Sequence, residues 1–87
     1  MNTRPVFLVI LMRRPVVDPA AVEAHRAFLD ALRAEGVLER SGPFADKRGG
    51  AYLIHADDLA AAQAIVARDP ASTSGGWDVT IHEWQAL

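Results

Sequence analysis

The sequence predicts an α+β fold whose elements follow the order β-α-β-β-α-β, and three observations carry that prediction. Two short apolar runs, 6–12 and 51–56, and one alternating run, 77–84, have the composition and period of strands. Two further segments, 19–35 and 59–68, repeat their apolar residues at helical spacing. Gly, Pro and Asp stand at the joins between them. A chain of 87 residues is enough for one domain, so 1–87 is taken as a single unit.

The elements follow in order. Pro5 to Met12 is almost wholly apolar and rich in branched residues, which predicts a strand buried on both faces. Asp18 then caps a helix that has Pro19 at its first position, and Gly36 ends it near the left-handed conformation. Val37 to Pro43 is a weaker strand, mixed with charge. The polar stretch Ala45 to Gly50 and the apolar run Ala51 to Ala56 complete a β-hairpin. Tyr52 and Ile54 share one face of that run, and Leu53 and His55 share the other. Asp57-Asp58 caps a second helix from Leu59 to about Arg68, which Pro70 terminates. Ala71 to Gly76 reads as a loop of small residues. Trp77 to Trp84 alternates, with Trp77, Val79 and Ile81 against Asp78, Thr80, His82 and Trp84.

This order is the split βαβ, or ferredoxin-like, pattern: an antiparallel sheet with two helices on one face. Right-handed crossovers are expected to set the two parallel partners side by side in the middle of the sheet. The opposite face is then bare, although the first strand is apolar on both sides and Trp84 points away from Val79 and Ile81. An exposed apolar sheet face implies a partner, and a second copy about a two-fold axis is the simplest one. A homodimer packed sheet to sheet is expected.

Bulk properties exclude several classes. A net charge of -2 and a pI near 5.8, with no basic stripe, argue against a nucleic-acid partner. The absence of Cys rules out disulfides and thiolate metal sites. The run 6–12 is too short to span a bilayer, and Arg13-Arg14-Pro15 stands where a signal peptide needs a small-residue cleavage site. A soluble, cytoplasmic protein with no membrane partner is expected. His55 and His82 have no metal-ligand spacing to His25, so no metal is expected. Gly49-Gly50 and Gly75-Gly76 lack the strand-to-helix context of a phosphate loop, and no cofactor is expected.

The candidate chemistry lies at residues that break local rules. His25 sits at the centre of the first helix's apolar stripe, among Ala21, Val22, Phe28, Leu29 and Leu32. An ionisable ring there costs free energy unless something hydrogen-bonds it. Asp69 falls at the last turn of the second helix, where the macrodipole disfavours a carboxylate by about 0.3–1 kcal/mol. It lies on the inward side of that helix, three to four residues after Ile65 and Val66. If the two meet, the carboxylate fixes one imidazole tautomer and frees the other ring nitrogen for proton transfer. The alternative is a core histidine satisfied by a backbone carbonyl, with Asp69 a turn-former before Pro70. Arg13 or Arg14 can anchor an anionic substrate oxygen, or be a solvated charge pair. Gly42 can admit close approach of a ligand or mark a bulge. Ser72, with Thr73 and Ser74, can offer hydroxyls to a pocket or form a polar loop. Tyr52, Trp77 and Trp84 read as core or dimer contacts.

Taken together, the apolar strand Val6 to Met12, Ala24-His25-Arg26-Ala27-Phe28-Leu29, Ser41-Gly42-Pro43, Leu59-Ala60-Ala61-Ala62, Arg68-Asp69-Pro70 and the closing strand Gly76-Trp77 to Trp84 resemble the YciI-related (YCII) domain family over nearly the whole chain. Ala71 stands where the family usually carries an aromatic residue, and the hairpin is short. The resemblance implies a dimeric α+β barrel, small-molecule chemistry of the kind in which dehydrochlorination of chloroaromatics is known, and a site centred on His25 and Asp69. The expected function is therefore a cofactor-free enzyme. Its His-Asp pair would serve as general acid or base on a small cyclic or aromatic substrate, in an elimination or isomerisation. Two other readings stand beside it: a non-catalytic dimeric ligand-binding module, and a cofactor-free monooxygenase on the same barrel.

Overall fold

Alternation of side chains gives the first strand, β1 (Val6–Arg13), one fully buried row of Phe7, Val9 and Leu11 in the computed structural model, which describes residues 4–87. Residues 1–3 of the expected 1–87 unit lie outside the described residues. The opposite row, Val6, Leu8 and Ile10, is only half-buried, and Met12 is 36% exposed. Burial of β1 on both faces is thus corrected: helices cover one side of the sheet only.

The chain continues through α1 (Pro19–Ala34), β2 (Leu38–Pro43), β3 (Gly49–His55), α2 (Leu59–Ala67), α3 (Pro70–Thr73) and β4 (Trp77–Trp84). The sheet order is β2-β3-β1-β4, with every neighbouring pair antiparallel. The expectation of two parallel strands side by side is therefore wrong. β1 and β2 do run parallel, but the hairpin folds β3 back between them. The short connection pairs β3 antiparallel with β2, on the side of β2 that faces β1, and Phe44 N–H bonds Gly49 O at 2.8 Å to close it.

Capping explains where α1 begins and ends. The Asp18 carboxylate accepts Ala20 N–H at 2.9 Å, Pro19 occupies the first turn, and Gly36 takes φ +75° beyond the last turn. Asp58 caps α2 in the same way, accepting Ala61 N–H at 2.8 Å. Between sheet and helices lies a core built on Phe7, Val9, Tyr52, Ile54, Leu32 and Val66.

The segment expected as a loop from Ala71 contains α3, a single turn with Ala71 fully buried. Four residues are too few to show a helical period, so the pattern that revealed α1 was absent. Asp69 accordingly changes its role. It does not oppose the dipole at the end of α2; it caps the start of α3, where a carboxylate is favoured, and accepts Ala71 N–H at 2.9 Å. The sheet irregularity lies between Leu38 and Arg40, away from Gly42. A Cβ at Gly42 would meet nothing within 4 Å, whereas one at Gly49 would collide with the Leu11 carbonyl oxygen. Close approach of backbone to backbone therefore requires glycine at 49, beside β1, while Gly42 faces open space.

Candidate active site

Three segments bring polar groups to one buried point. Helical periodicity turns His25 of α1 toward the sheet, strand parity turns Tyr52 of β3 toward the helices, and the Asp69-Pro70 step folds the Asp69 carboxylate inward. Asp69 is 0% exposed. Its Oδ1 lies 2.8 Å from His25 Nδ1 and accepts Ala71 N–H, while Oδ2 accepts the Tyr52 hydroxyl at 2.8 Å. Among the described residues no buried side-chain nitrogen or oxygen is left without a partner. Desolvation of this carboxylate is thus offset by three donors.

The geometry orders the proton on His25. A carboxylate only accepts hydrogen bonds, so Nδ1 carries the hydrogen of this contact, and in the neutral ring Nε2 is the nitrogen with the lone pair. The ring is largely enclosed, with its side chain 17% exposed, and Nε2 has no hydrogen-bond partner among the described residues. The His25 ring centroid lies 5.9 Å from that of Tyr52 and 6.2 Å from that of Trp77. Burial first, then the charge of Asp69 and the hydrogen bond to it, push the Tyr52 phenol well above its ordinary value. Tyr52 is therefore a hydrogen-bond donor to Asp69 at neutral pH.

His25 opens on a cleft of about 400 Å³ between α1 and the β1–β3 end of the sheet. Val22, Arg26 and Leu29 form its helical wall; Leu11, Arg13, Tyr52 and Trp77 contribute from the sheet, with Ser41, Gly42 and Pro43 of β2. Two sequence-selected residues besides His25, Arg13 and Gly42, thus line it. Arg14 does not: its guanidinium bonds Asp78 Oδ1 at 2.6 and 3.0 Å. Ser72 is exposed and outside the lining, because α3 turns Ala71 into the core and Ser72 one step round toward solvent. The expectation of a Ser72 hydroxyl in the pocket is corrected on that ground.

Sequence reasoning missed the polar role of Tyr52 by reading it as a core contact, and it passed over Arg26. One signal was available for Tyr52: a phenol on the inward face of a strand needs an acceptor for its hydroxyl. Among the described residues no group of three or more His, Cys, Asp or Glu can hold a metal, and no helix is long and apolar enough to cross a membrane.

Comparison with known proteins extends the description. The model of the YCII-related domain matches residues 6–85. The uncharacterized protein YjpA of Bacillus subtilis (strain 168) is 43% identical over 79 residues, covering 91% of this chain and 93% of that protein. Among solved structures, a 5-chloro-2-hydroxyhydroquinone dehydrochlorinase (TftG) from Burkholderia phenoliruptrix AC1100, in complex with 2,5-dihydroxybenzoquinone, is similar with a TM-score of 0.76. It is 23% identical, and the match covers 94% of this chain and 95% of that chain. The Pseudomonas aeruginosa protein PA3566 gives a TM-score of 0.62 at 16% identity, covering 100% and 98% of the two chains. At these identities the two structures show the fold that is shared.

Proposed function

Because the chain belongs to the YCII-related domain family, we propose that it is a small-molecule enzyme that works without a cofactor, with His25 oriented by Asp69 as its general acid or base. The observation that carries this reading is the 2.8 Å contact between His25 Nδ1 and a fully buried carboxylate, at the wall of a ring-sized cleft. A structural histidine needs one partner; this one has a partner that is itself held by Tyr52 and Ala71. That second layer of bonds fixes the ring's orientation, which is what proton transfer to a bound molecule requires.

The reaction class is elimination or isomerisation on a small cyclic or aromatic substrate. In an elimination, Nε2 takes a proton from a saturated ring carbon or from a ring hydroxyl. The released electron pair forms a new C=C or C=O bond, and the leaving group departs with its own pair from a ring carbon that is saturated at that point. A chlorinated hydroquinone reaches such a form by keto tautomerisation. Asp69 stabilises the imidazolium until the proton passes to water. The dehydrochlorinase activity named for the similar Burkholderia protein supports this class. 5-Chloro-2-hydroxyhydroquinone is accordingly the first compound to assay, by release of chloride.

The half-buried apolar row of β1, with Trp84 49% exposed beside it, supports a second copy packed on the open sheet face. Sedimentation of the wild-type chain is expected to give the mass of two chains, and Trp84→Asp that of one. A wild-type monomer rules the second copy out.

Nitrogen-detected NMR of His25 tests the pairing itself. In the wild type, Nδ1 is expected to carry the proton and Nε2 to be bare. Asp69→Asn is expected to move the equilibrium toward the other tautomer, because an amide nitrogen can donate to Nδ1. Identical ring spectra in the two proteins would mean that the carboxylate does not orient the imidazole.

A further inference from the structure

We infer that the cleft takes a ring-sized anion, gripped between the guanidinium groups of Arg13 and Arg26. The inference depends on the proposed function only for the location of the site, and not on any proton transfer. Arg13 is the last residue of β1 and pairs with Trp77, so strand parity carries it on the helix-facing side of the sheet with Leu11. Arg26 is next to His25 on α1. Sheet and helix therefore each supply one cation to the same hollow.

Their place in the lining of the cleft sets these two apart: among the described residues Arg40, Lys47, Arg48 and Arg68 also have no ion pair but lie outside it. Arg4 pairs with Asp57 at 3.6 Å, Arg14 with Asp78 at 2.6 Å and Arg33 with Asp30 at 3.1 Å, all outside the lining of the cleft. Among the described residues neither Arg13 nor Arg26 has a carboxylate partner, and no Asp or Glu lines the cleft. Asp69 does not neutralise them from within: it lies behind His25, with both oxygens already accepting. Ser41 Oγ, the hydroxyl at the rim, is in turn held by Arg33 Nη2 at 3.1 Å.

Two unpaired positive groups over apolar walls of Leu11, Leu29 and Trp77 define the ligand's chemistry. Low-dielectric walls concentrate the field of the two cations on whatever enters. A guanidinium recognises a planar oxyanion through paired N–H donors, so a carboxylate or a phenolate on a flat ring fits both the charge and the shape. A volume of about 400 Å³ suits one substituted ring. The neutral form of the same ring forfeits the charge-assisted bonds and keeps only the apolar contact.

Calorimetric titration with benzoate and salicylate against their neutral amides, benzamide and salicylamide, tests the assignment. The anions are expected to bind at least about tenfold more tightly than the amides. Arg13→Gln and Arg26→Gln should each weaken the anions by about tenfold and leave the amides unchanged, and added salt should act in the same direction. Circular dichroism confirms that the variants fold. Equal affinity for anion and amide, indifference to both Arg variants, or no saturable binding of either anion overturns the inference. Repeating the titration on His25→Ala separates it from the proposed function. A persisting anion preference there upholds the anion site whether or not His25 transfers protons.

Discussion

Asp69→Ala is expected to lower the stability of the folded chain by about 3–5 kcal/mol, a large part of what a small domain has. The carboxylate is 0% exposed and serves three donors at once: His25 Nδ1, the Tyr52 hydroxyl and Ala71 N–H. Truncation leaves the Tyr52 hydroxyl and Ala71 N–H without an acceptor in the buried core and His25 without one at its edge, at about 1–3 kcal/mol for each buried group left unmet. It also removes the cap of α3. Tyr52→Phe removes a single donor and should cost about 1–3 kcal/mol at neutral pH. The two variants also differ from each other in alkali. With the Tyr52 phenol held well above its ordinary value in the fold, the unfolded chain loses that proton first, from about pH 10 upward. Above that point the unfolded state binds fewer protons, so this residue's contribution is fully present below pH 10 and falls by up to about 1.4 kcal/mol per pH unit as pH rises. Urea denaturation from neutral to strongly alkaline pH should therefore show the gap between wild type and Tyr52→Phe closing. A constant gap, or a loss below about 1 kcal/mol for Asp69→Ala, would mean that the buried trio does not hold the fold.

The legible parts of this architecture are those in which the cause is local. Asp18-Pro19 announces α1 because an N-cap and a first-turn proline act within three residues, and a short apolar run announces β3 and alternation β4 for the same reason. Strand neighbours are not local: only the hairpin's return brings β3 between β1 and β2. Asp69 is the instructive case. Asp18 and Asp69 both precede a proline, adopt nearly the same backbone (φ -72°, ψ 122° and φ -71°, ψ 125°) and both accept the N–H two residues on. The second Asp-Pro step carried the same start signal as the first, but a four-residue helix follows it and supplies no period to support it. Reading Asp69 as the end of α2 gives the right inward direction for the wrong reason. His25 was legible because a polar ring in an apolar stripe is conspicuous. Tyr52 was not, since its hydroxyl is invisible in an apolar strand, and Arg26 was not, since a charge on a helix reads as solvated until the opposing wall is known.

The largest kinetic effect is expected at His25. If the imidazole is the acid or base, His25→Gln, which keeps a polar side chain on α1 but supplies no titrating nitrogen, should lower kcat by about 10²- to 10⁴-fold on a ring substrate. KM should move little, because the group acts in the transition state, and binding is assigned to Arg13, Arg26 and the apolar walls. Asp69→Asn should reproduce much of that loss with His25 still in place. An amide that donates to Nδ1 leaves the hydrogen on Nε2, the nitrogen that must be bare to accept a proton. The Arg variants should show the opposite split, raising KM more than they lower kcat. Steady-state kinetics on all four proteins, each checked for folding by circular dichroism, separates these cases. Unchanged kcat in His25→Gln would remove the histidine from the chemistry, whatever it contributes to the core. A matched fall in kcat for His25→Gln and Asp69→Asn, with no further loss when the two are combined, is the signature of residues acting as one unit, since neither can be lost twice.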